Sequence, residues 1–178
     1  MGAAASTAHE ASLLMGATMA VSMIGIFLGI FFLFFNIESA IRIAAAVLVG
    51  VVGVISFVRH SLYYESDQIR MGWGQDHPEF QLEVGYANLA LGIWALVAAV
   101  FNWGLVVCGI LLAVYATYLL CALLLHLSEA HAWEELHIPA HRSRAIRSVV
   151  STGFFVFVLA GFAFIAFARV GVLPFVQL

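Results

Sequence analysis

The sequence predicts an all-α polytopic membrane protein, a bundle of about five transmembrane helices, and three observations carry that prediction. The 178 residues are 64% hydrophobic and 10% charged, against about a quarter charged in soluble domains. Five apolar runs separated by short polar clusters approach or reach the length needed, which is ~20 residues of α-helix to cross ~30 Å of hydrocarbon. No internal repeat and no soluble domain stands out, so residues 1–178 read as one integral membrane domain.

The first predicted helix covers about residues 12–35. No basic region precedes it and it is too long for a signal-peptide core, so it reads as a retained span. Gly25 and Gly29 have the small-xxx-small spacing that lets a neighbouring backbone approach closely, and the Phe-rich second half faces lipid. Asn36-Ile-Glu38-Ser39 is short enough to force a hairpin into a second helix, about 40–58, with Arg42 near its start and Gly50 and Gly53 inside. Arg59 and His60 then open a polar segment reaching about Leu82. Its first part is expected to form an interfacial helix, because Leu62, Ile69 and Trp73 share a face at i, i+7, i+11. Gly72, Gly74 and Pro78 mark the turn back. The third helix spans about 83–101, Asn102-Trp103-Gly104 is a tight connection, and the fourth spans about 104–127. Trp103 suits an interfacial aromatic belt. Beyond Leu127 the fourth helix is expected to continue out of the membrane until Pro139 ends it. The fifth covers about 149–168. Cys108 and Cys121 lie more than three turns apart in one run, which excludes a disulfide between them.

Antiparallel crossings put the start of the first, third and fifth helices and the end of the second and fourth on one side, here side X. All seven histidines and nine of the ten acids fall there, together with five of the seven arginines; Arg42 and Arg169 lie opposite and there is no lysine. The positive-inside rule makes side X, with the N-terminus, cytoplasmic. A prokaryotic inner membrane is the expected location.

Carboxylates at the mouth of a membrane helix survive with a partner or water, because burying one costs roughly 2.5–3.5 kcal/mol at mid-helix. Glu83 is such an acid, and His60, His126 and Glu129 come from neighbouring helix ends on side X. Imidazole and carboxylate together suit iron, zinc or manganese, and the i, i+3 pair His126/Glu129 lets one helix supply two ligands. His60, Glu83, His126 and Glu129 are therefore the expected metal ligands, and His60 with His126 the expected axial pair if the group is haem b. Glu134 and His137 repeat the spacing once, which is weak support for a di-metal centre. The same residues beside Tyr63, Tyr64 and Trp73 would also suit a quinone. Asn88 reads as an interhelical hydrogen-bonding group. The leading expectation is a metal- or haem-binding membrane protein in a redox or ion-handling role. The alternatives are a non-catalytic accessory subunit, packed through small-residue faces as a homo-oligomer or with other membrane subunits, and a proton-coupled small transporter. Nothing points to nucleic acid, a phosphate loop, a nucleophile elbow or an HExxH helix.

The stretch Pro78-Glu-Phe80-Gln81-Leu-Glu83-Val-Gly85-Tyr-Ala87-Asn88-Leu89, with Arg59-His60 and His126, resembles an uncharacterised family of small multi-pass prokaryotic membrane proteins. The resemblance covers about His60 to Glu129 and rests on a Phe-Gln-x-Glu-Val-Gly-x-Ala-Asn-Leu core. It implies that His60, Glu83 and His126 belong together, and it implies no activity.

Overall fold

The computed structural model describes residues 2–71, 78–135 and 139–172. Those residues form six helices and no strand: α1 (Gly2–Leu33), α2 (Ile37–Leu62), α3 (Tyr64–Met71), α4 (Pro78–Val100), α5 (Gly104–Glu135) and α6 (Pro139–Arg169). Five of them, all but α3, contain a stretch long and apolar enough to cross a membrane. The all-α, five-span expectation therefore agrees with the structure, and the apolar helices suit a lipid bilayer.

Most helices outrun the apolar pattern. α1 begins at Gly2, α4 at Pro78 and α6 at Pro139, each well before the expected start. Hydropathy marks only the part of a helix that meets hydrocarbon, whereas backbone hydrogen bonding continues into the interface. Proline at a first helical position loses no bond there and has its φ already set. Pro139 thus opens α6, and the described part of α5 runs to Glu135.

Two turns show how local chemistry ends the helices on the side away from X. Asn36 caps α2 by accepting a hydrogen bond from the Ser39 amide at 2.9 Å. Asn102 adopts φ 51°, and the Trp103 amide bonds back to the Ala98 carbonyl at 2.9 Å. This is a left-handed cap of the Schellman kind, tight enough to return the chain at once as α5.

α2 is the most buried of the spans and α1 the least. Ile41, Ala44, Ala45, Leu48 and Val49 of α2 have no exposed surface and meet Ala95, Ala98, Leu112 and Leu159 from α4, α5 and α6 in one core. Small residues permit the closest approach: a Cβ added to Gly53 would stand 2.7 Å from the Asn88 carbonyl oxygen and 3.0 Å from Gly92 Cα, so α2 and α4 cross backbone to backbone. α5 and α6 pack antiparallel along their length, with Gly109 against Ala166 and Phe167 and Gly153 facing Leu123. Gly25 abuts Val47 and Leu48 of α2, and Gly29 abuts Phe162 of α6. The small-residue pair of α1 is thereby used within the chain, while Phe27, Phe31, Phe34 and Phe35 project outward.

A candidate ligand-binding cleft on side X

Polar residues on α3 face inward. Ser66, Asp67 and Gln68 are buried, whereas Glu65 and Ile69 are exposed. The Ser66 hydroxyl accepts from the Ala11 amide at 3.1 Å, which ties α3 to the start of α1. A short helix is thus present in the polar segment, but Leu62 belongs to α2 and the chain breaks at Tyr63, so Leu62 and Ile69 do not share one helix face as expected; Trp73 lies outside the described residues. The other helix that shapes the site is α2, which turns to π geometry over Val58–Leu62. An extra residue per turn re-aims side chains, and such segments often accompany functional sites; here it carries Arg59 and His60 toward Asp67.

Asp67 is wholly buried and gathers three elements around it. Arg70 donates to its Oδ1 from Nε at 3.0 Å and Nη2 at 2.8 Å, and Gln81 of α4 donates to Oδ2 at 3.2 Å. Arg59 Nε lies 3.7 Å from Oδ2. His60 Nδ1 stands 2.9 Å from the same oxygen, at an angle too oblique for a well-formed hydrogen bond. Arg59 Nη2 contacts His60 Nε2 at 2.7 Å. A guanidinium only donates, so Nε2 must offer its lone pair and the neutral ring carries its proton on Nδ1, beside Asp67. Burial alone raises the Asp67 carboxyl, but the His60 contact and the charges of Arg59 and Arg70 outweigh it and hold the group well below the usual carboxylate range. Asp67 is therefore ionised at neutral pH.

A second polar group lies deeper, about midway along α4 and α5. Asn88 donates from Nδ2 to the Val84 carbonyl at 2.7 Å and to the Tyr118 hydroxyl at 3.0 Å, and its Oδ1 accepts from Tyr115 at 3.0 Å. The rings of Tyr115 and Tyr118 stack with centroids 6.0 Å apart. Asn88 is thus the interhelical group its position suggested.

Both clusters line one cleft of about 1390 Å³, open on one side and walled elsewhere by largely apolar surface from α1, α4, α5 and α6. Tyr115, Leu119, Ala122 and His126, which share a face of α5 at helical spacing, all contribute to it, and Arg147 of α6 stands at its rim. Among the described residues lining it, Arg59, Arg70 and Arg147 face a single acid, Asp67.

His60 and His126 both line the cleft. Glu83 does not join them: it is exposed and absent from the lining. The buried stripe of α4 runs Gln81, Gly85, Asn88, Gly92, and Glu83 falls outside that stripe. Among the described residues no three His, Cys, Asp or Glu side chains gather as a set suited to a metal ion. The side chains of Glu129, Glu134 and His141, and the whole of Trp73, His77 and His137, lie outside the described residues. Asp67 was missed as a site residue. Its signal was the Asp67/Arg70 pair at i, i+3, a spacing that places two side chains together on a helix.

Residues 12–138 match the model of a family of unknown function, DUF6790. The chain belongs to the DUF6790 family. This agrees with the resemblance to an uncharacterised family carried by the Phe80–Leu89 motif. No curated protein and no solved structure matches the chain. In this DUF6790 member the Asp67 cluster and the Asn88/Tyr115/Tyr118 group fall inside the matched stretch, while the whole of α6, Arg147 included, lies beyond it.

Proposed function

We propose that this protein is an integral membrane binding protein for an anionic amphiphile, a lipid-class molecule whose head lies among Arg59, Arg70 and Arg147 and whose chain follows the apolar walls. The carrying observation is the charge balance among the described lining residues, three guanidiniums to one carboxylate. Two arginines on one buried acid leave a positive charge uncompensated at the edge of hydrocarbon, where an arginine costs about 2.5–3.5 kcal/mol on insertion scales. An anionic head removes that imbalance, and guanidinium groups present paired donors that match phosphate and carboxylate oxygens. Apolar walls add roughly 25 cal/mol for each Å² of chain they cover. On the same reading side X faces the cytoplasm of a prokaryotic cell, since five of the seven arginines lie there.

The test uses the full chain in detergent, titrated with phosphatidylglycerol and with phosphatidylcholine of the same chains. Phosphatidylglycerol should bind at least about tenfold more tightly, and Arg147→Gln, outside the Asp67 cluster, should weaken it by about 3- to 10-fold and narrow its advantage over phosphatidylcholine. Equal affinity of the wild type for the two lipids would overturn the reading.

The shared placement of His60 and His126 favours a second reading, in which a transition metal or haem b bridges them in a redox or ion-handling role. Arg59 holds Nε2 of His60 and would have to move aside. Elemental analysis and an absorption spectrum of the wild type, His60→Ala and His126→Ala decide it: near-stoichiometric metal or a haem band lost in both variants would establish this reading.

A further inference from the structure

Asn88 settles the direction of every hydrogen bond in the deep cluster. The Val84 carbonyl can only accept, so the atom 2.7 Å from it is the Asn88 amide nitrogen and the other terminal atom is oxygen. Oδ1 then accepts from Tyr115, whose proton is committed there, and the second amide proton goes to Tyr118. Tyr118 is consequently an acceptor in this cluster. Its own proton has no acceptor among the described residues, and the half-buried side chain lines the cleft. A phenol donor bordering a largely apolar space is costly to leave unpaired, and Asp67, the carboxylate among the described lining residues, already accepts from Arg70 and Gln81.

From this arrangement we infer that Tyr118 is a specificity-determining donor for a carbonyl oxygen set beneath the ligand's head, so that the cleft selects an ester-linked diacyl lipid over its ether-linked counterpart. The inference rests on the anionic-amphiphile reading and deepens it. Arg59 and Arg70 take the phosphate; Tyr118, further along the same cleft, meets the first acceptor along the chain, which is the ester carbonyl in a diacyl lipid. An ether oxygen is a poorer acceptor, and a plain alkyl chain has none. Tyr115, although stacked on Tyr118, cannot substitute, because its proton is held by Asn88.

The experiment compares diester phosphatidylglycerol with diether phosphatidylglycerol of identical chain length on the full chain, for the wild type and Tyr118→Phe. Wild type should prefer the diester by about 2- to 10-fold, the range of one hydrogen bond, and Tyr118→Phe should lose that preference while binding the diether as wild type does. Equal wild-type affinity for diester and diether overturns the inference without any variant, and leaves the anionic-head reading standing if both exceed phosphatidylcholine. Persistence of the preference in Tyr118→Phe, or an equal loss of diether binding, overturns it as well. Failure of either phosphatidylglycerol to exceed phosphatidylcholine removes the head reading and this inference with it.

Discussion

Asp67 holds the side-X ends of α2, α3 and α4 to one another, since each contributes a contact to its two oxygens. Replacing one member of such a buried ionic group leaves charges without a partner, which typically costs about 3–5 kcal/mol. Asp67→Asn should therefore lower the thermal midpoint of the purified protein markedly, while Glu83→Gln, on an exposed side chain, should stay within about 0.5 kcal/mol. The pH dependence has a definite sign. A carboxyl held below its unfolded value contributes stability that is complete above that value, about pH 4, and that is lost as pH falls through the folded value. Wild-type stability should carry no Asp67 contribution to any change between pH 8 and 5, then decline below about pH 4; Asp67→Asn should lack that acid step. A step of equal size in the variant would assign it to other carboxylates.

At the scale of elements, the α2/α4 crossing is the contact that leaves no room. A methyl at Gly53 would press on the backbone of Asn88 and Gly92, whereas one at Gly161 meets open space. Overpacking against atoms that cannot turn aside costs about 1–3 kcal/mol. Gly53→Ala should thus destabilise by that amount and disturb Asn88, while Gly161→Ala, in a helix interior, should be neutral or stabilising by up to about 1 kcal/mol. Chemical or thermal melts of the two variants in the same detergent provide the comparison. Equal behaviour would mean that α2 and α4 stand further apart than the structure places them.

Across the whole molecule, an odd number of spans puts the two ends of the chain on opposite faces, and α6 alone suffices to check it. Cysteines introduced at Arg144 and Arg169, in a chain whose Cys108 and Cys121 are replaced by alanine, should react with an impermeant reagent from opposite sides. If side X is cytoplasmic, as the proposed orientation has it, position 169 labels in intact cells and position 144 only after permeabilisation. Same-side labelling would remove the five-span arrangement; opposite labelling in the reverse sense would keep the fold and invert its orientation.

Hydropathy was enough to read five spans, the tight Asn102 turn and the gathering of ionisable groups at one face, because hydrocarbon thickness and backbone hydrogen bonding impose those features on any apolar chain. Asn88 was legible for a related reason: an amide midway along a span needs partners from another helix. That His60 and His126 would lie toward the same side, where both line the cleft, was legible because alternating crossings bring their helix ends together. Which acid they would meet was not. Glu83 and Asp67 look alike in sequence, and the choice between them depends on how α4 and α3 are rotated against their neighbours. A shift of five residues in the start of α4 sets the facing of nothing by itself; packing of Gly85 on Ser61 and of Gly92 on Gly50 and Gly53 turns Gln81 and Asn88 inward and leaves Glu83 outside. The π turn at Val58–Leu62 then aims adjacent residues, Arg59 and His60, at one carboxylate. Periodicity assigns faces relative to one helix axis, but only contact between axes decides which face is the inside.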